Sequence, residues 1–187
     1  MKTLFIRLII VWSFALGSYV MAEQTSFGLT PEETYALKTD QSDIILFIDV
    51  RDPVEIQFTG FTDLVDVNIP FLLVDRYQWS EERNRFHLPR NEYFIALVDK
   101  ALVERNLTRE ARIITMCRSG SARGEPSAAY LREQGFSNAY FVMHGFQGDP
   151  LKDGPQAGMR LKNGWQNSGL PWSNQVNGEK IFRATRE

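Results

Sequence analysis

Cysteine occurs once in 187 residues and histidine twice. A single cysteine excludes an internal disulfide, and Cys117 with His87 and His144 shows no recognised metal-ligand spacing. Neither a disulfide-stapled scaffold, a structural metal nor a cofactor is therefore expected. Charge of neither sign dominates, with 21 basic against 23 acidic residues, and nothing in their arrangement points to nucleic acid. Internal repeats and low-complexity segments are missing too. What the chain does have is 43% hydrophobic content over a length suited to one compact core and short for two.

The most apolar stretch, Leu8 to Leu16, is too short to span a bilayer and no strong stop-transfer flank follows it. Lys2 and Arg7 precede it, and Val20, Met21 and Ala22 follow with the small-residue pattern of a cleavage site before Glu23. Residues 1–22 therefore read as a secretory signal, giving a periplasmic or secreted protein that meets the membrane only through its export signal. Their removal takes away two basic residues and shifts the net charge from −2 to about −4. Exported proteins usually pair their cysteines. Here the thiol is alone and open to oxidation, a liability that chemistry at the sulfur would justify.

The rest of the chain alternates helical and strand-like patterns. Thr30, Pro31 and Glu33 make a capping box ahead of Tyr35, Ala36 and Leu37. Ile44 to Val50 is a nearly uninterrupted, β-branched apolar run, the mark of a strand buried on both faces of a parallel sheet. Leu64 to Val67 reads as a second strand, and Asn68 to Arg90 as an irregular, solvated stretch rich in arginine and aromatic residues. Phe94, Ile95, Leu97, Val98, Ala101 and Leu102 recur at helical spacing within Asn91 to Arg105. Further strands are expected over Ala111 to Met116 and Ala139 to Met143, a helix over Ser127 to Gln134, and a short helix or turn over Trp165 to Gly169. Ser173 to Glu187 reads as a polar tail.

The lone cysteine lies where the strand ending at Met116 hands over to the next helix, in the run Cys117, Arg118, Ser119, Gly120, Ser121, Ala122, Arg123. A helix start presents unpaired N–H groups and a partial positive charge, which favour a thiolate or a bound oxyanion. Arg118 and Arg123 add two permanent charges. Pro126 suits the first turn of the helix and extends the loop to Gly124 or Glu125, so that Gly120 and Gly124 would shape a nest of successive N–H groups. Asp49 and Arg51, at the end of the first long strand, are read as a buried salt bridge that supports the site. His144 and His87 stay outside the catalytic set.

The loop resembles the active-site loop of the rhodanese superfamily, sulfurtransferases that carry sulfur as a cysteine persulfide. Ile48 to Pro53 with Glu55, then Val67 to Pro70, resemble that family's earlier motifs. Leu131 to Phe136, Ala139 and Tyr140, His144 to Phe146, and Gly164, Trp165 and Gly169 to Trp172 resemble its later ones, in the family's order. The resemblance covers Thr30 to Trp172 and implies a rhodanese-like domain over 23–172, an open and mainly parallel five-stranded α/β sheet with helices on both faces. It implies Cys117 as nucleophile, with Arg118, Ser119, Gly120, Ser121, Ala122 and Arg123 binding a small sulfur-containing anion, a thiol or cyanide as acceptor, and a periplasmic sulfur-metabolism partner.

Two departures keep other chemistry open. Arg123 stands six positions after Cys117, one more than in familiar rhodanese loops. Cysteine, five residues and arginine is the spacing of protein tyrosine phosphatases and of rhodanese-fold phosphatases and arsenate reductases, whose cradle takes a tetrahedral oxyanion. Against these, Met116 replaces the histidine of the tyrosine phosphatase signature, and a reductase would need a resolving thiol that this chain lacks. The second departure is an insertion, Asp149 to Asn163, before Trp165. A non-catalytic rhodanese-like binding module is the third alternative.

Overall fold

A computed structural model describes residues 27–184. In chain order its elements are β1 (Gly28–Leu29), α1 (Pro31–Asp40), β2 (Ile45–Asp49), α2 (Pro53–Thr59), β3 (Val67–Asn68), β4 (Asp75–Ser80), β5 (Arg85–His87), α3 (Phe94–Glu104), β6 (Arg112–Met116), α4 (Gly124–Glu133) and β7 (Ala139–Val142). Short 3₁₀ turns cover Ser42–Ile44 and Trp165–Ser168. The secretory signal expected over residues 1–22 lies outside the described residues.

Five strands form one sheet in the order β1-β7-β6-β2-β3, and every pairing in it is parallel. Strands β2 and β6 are buried along nearly their whole length, which explains their unbroken apolar spelling. Their side chains alternate between two cores. Leu46, Ile48 and Ile113 pack with Phe94, Val98 and Leu102 of α3 and Ala128 and Leu131 of α4. Ile45, Phe47, Ile114 and Met116 pack on the opposite face with Ile56 of α2, Trp165, and Tyr35 and Leu37 of α1. The sheet is thus covered on both faces by helices, as the resemblance implies.

The capping box of α1 is present, with Thr30 Oγ1 accepting from Glu33 N–H at 3.1 Å and Glu33 accepting from Thr30 N–H at 2.7 Å. Trp165 is fully buried against Phe47, its ring 5.7 Å away, and donates through Nε1 to the Pro171 carbonyl at 3.0 Å.

Three expectations need correction. The stretch 68–90 is not irregular throughout, because β4 and β5 pair as an antiparallel hairpin with Trp79 set edge-on to Phe86 at 5.1 Å. Its strands are largely exposed on both faces, so no alternation of polar and apolar residues marks them. Only Val67 and Asn68 form strand where Leu64 to Val67 was expected. Helix α4 begins at Gly124, ahead of Ser127, because Thr115 and Ser127 hydroxyls both donate to the Gly124 carbonyl, at 2.9 and 2.8 Å, and pin that first turn to β6.

The segment read as a polar tail lies against the domain as far as it is described. Ser173 bridges Phe61 through two backbone hydrogen bonds of 2.8 Å, the Lys180 carbonyl accepts from Asn68 N–H at 2.7 Å, and Val176 and Ile181 pack on the second core.

Candidate active site

Strand β6 is the middle strand of the sheet, and its carboxyl end delivers Cys117. Parallel α/β sheets place their ligand crevices at such strand ends. Residues 113, 115 and 117 point to one face by strand alternation, so Cys117 looks toward α4. The residue is fully buried and joins the core beneath that helix. A β-carbon added to Gly124 would lie 3.5 Å from Cys117 Sγ, which puts the sulfur at the first turn of α4.

The loop over the sulfur is held from three sides. Gly120 carbonyl accepts from Glu125 N–H at 2.8 Å, closing the turn. The Cys117 carbonyl accepts from Phe146 N–H at 2.7 Å, and the Arg118 carbonyl from Gln147 and Gly148 N–H at 2.9 and 3.2 Å, which ties the loop to the chain leaving β7. That approach is close enough to demand glycine. At Gly120, with φ +83°, a β-carbon would sit 2.8 Å from His144 N, and at Gly145, with φ +57°, it would sit 2.2 Å from the Cys117 carbonyl oxygen. Gly124 is helical rather than left-handed, and a β-carbon there would make only ordinary contact with the sulfur, so neither an unusual backbone angle nor a close approach demands glycine at this position.

Among the described residues, the N–H groups of residues 118–123 donate to no protein acceptor. At the helix end, Glu125 N–H is taken by Gly120, Pro126 has none, and Ser127 N–H is taken by Arg123, leaving Gly124 as the donor nearest the loop. These are the elements of an anion-binding nest.

The two arginines occupy different places. Arg123 forms a two-point ion pair with Glu55 of α2, Nη1 to Oε2 at 2.8 Å and Nη2 to Oε1 at 3.1 Å, both groups mostly buried. Burial opposes its charge, but Glu55, then the charges of Cys117 and Asp49, carry its pKa above the ordinary guanidinium value. Arg123, the residue immediately before α4, is thus held by Glu55 at the closing end of the cysteine loop. Arg118 instead bonds Gln147 Oε1 through Nε at 2.7 Å and lines a groove with Arg160 of the insertion. Burial first, and then the Arg160 charge, hold it below the ordinary guanidinium value.

Ser119 and Ser121 hydroxyls lie 3.3 Å apart, and Ser121 and Ala122 are exposed on the outer side of the loop. Asp49 and Arg51 are fully buried and paired, Nη2 to Oδ2 at 2.5 Å, with Arg51 also bonding Thr59 Oγ1 and the Gly60 carbonyl and stacking over Phe146 at 4.1 Å. They support the ends of β2 and α2. His144 is half-exposed and bonds Asp149 Oδ2 at 3.0 Å.

Two residues of consequence carry no role in the sequence reading. Glu55 was visible as a motif letter, but that it clamps Arg123 across 68 positions is a tertiary fact. Arg160 lies in the insertion, where nothing in its spelling distinguishes it from a solvated charge.

Comparison with known proteins gives no matching family model and no matching curated sequence. The crystal structure of Rv0390 from M. tuberculosis is similar over 79% of this chain and 97% of its own, with 28% identity and a TM-score of 0.57. A rhodanese-related protein from Thermoplasma volcanium covers 79% of this chain and 98% of its own at 17% identity and a TM-score of 0.44. The polysulfide-sulfur transferase homodimer from Wolinella succinogenes covers 79% and 78% at 22% identity and a TM-score of 0.47. With its five-stranded parallel sheet covered by helices on both faces and its cysteine loop at the end of the middle strand, the chain has a rhodanese-like fold.

Proposed function

We propose that the protein is a sulfurtransferase or persulfide carrier that takes sulfane sulfur from a thiosulfate-type donor onto Cys117 and passes it to a thiol or to cyanide. The observation that carries this reading is the placement of one cysteine at the start of a loop whose N–H groups take no acceptor among the described residues, with Arg123 held by Glu55 at the other end of that loop. The Cys117 thiolate attacks the outer sulfur of thiosulfate. A Cys117–S bond forms, the bond to the sulfonate sulfur breaks, and its electron pair leaves with sulfite. The loop N–H groups and Arg123 stabilise the negative charge on the departing group, while Glu55 holds Arg123 in place. An acceptor thiolate or cyanide then attacks the outer sulfur and returns the electron pair to Cys117.

The reading extends to location, on the sequence of residues 1–22: the protein is exported and cleaved after Ala22, which amino-terminal sequencing of the mature protein would test. The chemistry is tested by incubation with thiosulfate without reducing agent. Intact-protein mass spectrometry is expected to show one added sulfur atom that cyanide removes and that Cys117→Ser never acquires; no adduct in the wild type defeats the reading.

The arginine six positions after the cysteine favours a second reading, an enzyme acting on phosphate or arsenate. Hydrolysis of an aryl phosphate that Cys117→Ser abolishes, without persulfide formation, would establish it. Absence of both activities, with binding to a sulfur-metabolism protein retained in Cys117→Ser, would make the domain a non-catalytic module.

A further inference from the structure

Beside the cysteine loop runs a groove whose lining includes Arg118, Gln147, Met159, Arg160, Asn167 and Trp172. It is built onto the loop itself, since Gln147 and Gly148 N–H groups donate to the Arg118 carbonyl. Two guanidinium groups converge in it. Arg118 is fixed through Nε by Gln147, and Arg160 is fixed through Nη1 by the Gly148 carbonyl.

Among the described residues neither arginine forms an ion pair with a carboxylate. The insertion's Asp149 carboxylate accepts from Asn163 Nδ2 at 3.0 Å and bonds His144, so it is not turned to them. Like charges held together without a counter-ion repel, and an arriving anion relieves that cost. Fork-shaped donors suit a carboxylate.

The apolar walls narrow the class of ligand. Met159 is 52% exposed, Leu161 46% and Trp172 41%, and all three border the groove. An inorganic donor anion gains nothing from such walls, and its place is under the loop N–H groups and Arg123. A short organic chain that ends in a carboxylate uses both features.

Resting on the sulfur-carrier reading, we propose that this groove binds the carboxylate of a small carboxylate-bearing thiol acceptor and so presents its sulfur to the Cys117 persulfide. The acceptor, deprotonated by solvent, attacks the outer sulfur; the bond from that sulfur to Cys117 breaks, its electron pair stays on Cys117 as thiolate, and the acceptor leaves as a persulfide. No external oxidant or reductant enters the step.

The test compares wild type, Arg160→Gln and the charge-keeping Arg160→Lys. Each is loaded with sulfur and mixed with mercaptopropionate or uncharged mercaptoethanol, and sulfur loss is followed by intact mass. Binding of the unreactive methylthiopropionate is followed in parallel by NMR shift changes. Arg160→Gln is expected to raise the KM for mercaptopropionate about fivefold relative to that for mercaptoethanol, the scale of a part-exposed ion pair, and to weaken methylthiopropionate binding similarly. Arg160→Lys should keep most of the discrimination. Equal effects on both thiols, or an effect confined to loading by thiosulfate, overturn the proposal. Should the protein never accept sulfur, the functional reading falls, and methylthiopropionate binding alone then decides the groove.

Discussion

A single carboxylate governs how Arg123 meets the site. Glu55 occupies both terminal nitrogens of the guanidinium, and both groups are mostly withdrawn from water, where a charge-assisted pair has its greatest directing effect. Glu55→Gln keeps the shape and removes the charge. It is expected to raise the KM for thiosulfate about tenfold, the size of one charged hydrogen bond, with a smaller change in kcat. Glu55→Asp should recover part of the loss, which a purely structural role would not produce; steady-state kinetics of persulfide formation read both. At this scale the sequence was informative about the place of the lone cysteine at a strand end and about Asp49 with Arg51, whose burial as a pair matches the reading from the strand end. It was silent on Glu55, because no local pattern states which of several arginines a carboxylate will reach.

Elements show why the loop holds its form. Gly145 lies in left-handed backbone, and a β-carbon there would run into the Cys117 carbonyl at 2.2 Å and Gly120 N at 2.7 Å. Gly145→Ala is therefore expected to destabilise the protein by about 2 kcal/mol or more and to slow sulfur loading. Gly124→Ala meets Sγ at an ordinary 3.5 Å and should stay within about 1 kcal/mol of wild type. Chemical denaturation separates the two.

The insertion 149–163 is closed by Asp149 and Asn163, which bond each other through backbone and side chain. The Asn163 hydrogen bond, and after it the His144 charge, hold the Asp149 carboxyl below its ordinary value of 3.8. A carboxylate whose folded pKa is lowered gives stability that is complete above its unfolded value and is lost as pH falls through the lowered one. Carbon NMR titration should place the Asp149 midpoint below 3.8, and Asn163→Ala should move it back up toward that value. The β4–β5 hairpin, by contrast, escaped the sequence reading because its strands bury almost nothing, and without a buried face a strand has no period to detect.

Across the whole molecule the two cores are separated by the sheet, and the last described residues run past its β3 edge against the second core. Ser173 pairs with Phe61, Lys180 with Asn68 and Asp63, and Val176 and Ile181 cover the second core. Removal of residues 173–187 is expected to cost about 3 kcal/mol, from the lost hydrogen bonds and the newly exposed apolar surface, and to lower the melting temperature in a calorimetric scan. Polar composition concealed this, since a segment held mainly by its backbone needs few apolar side chains. Among the described residues no helix is long and apolar enough to cross a membrane.

The amino-acid order alone determined the buried strands β2, β6 and β7, the helices α1, α3 and α4 and the point where the cysteine emerges, because buried strands, capped helices and turns are written in residues close together in the chain, whereas the short β1 and α2 were not read from it. The tertiary structure alone decided that Glu55 holds Arg123 at the end of the cysteine loop while Arg118 lines a groove with Arg160. Those choices depend on which distant charges are brought within a few ångströms of each other, and electrostatic partners chosen by packing leave no periodic trace along the chain.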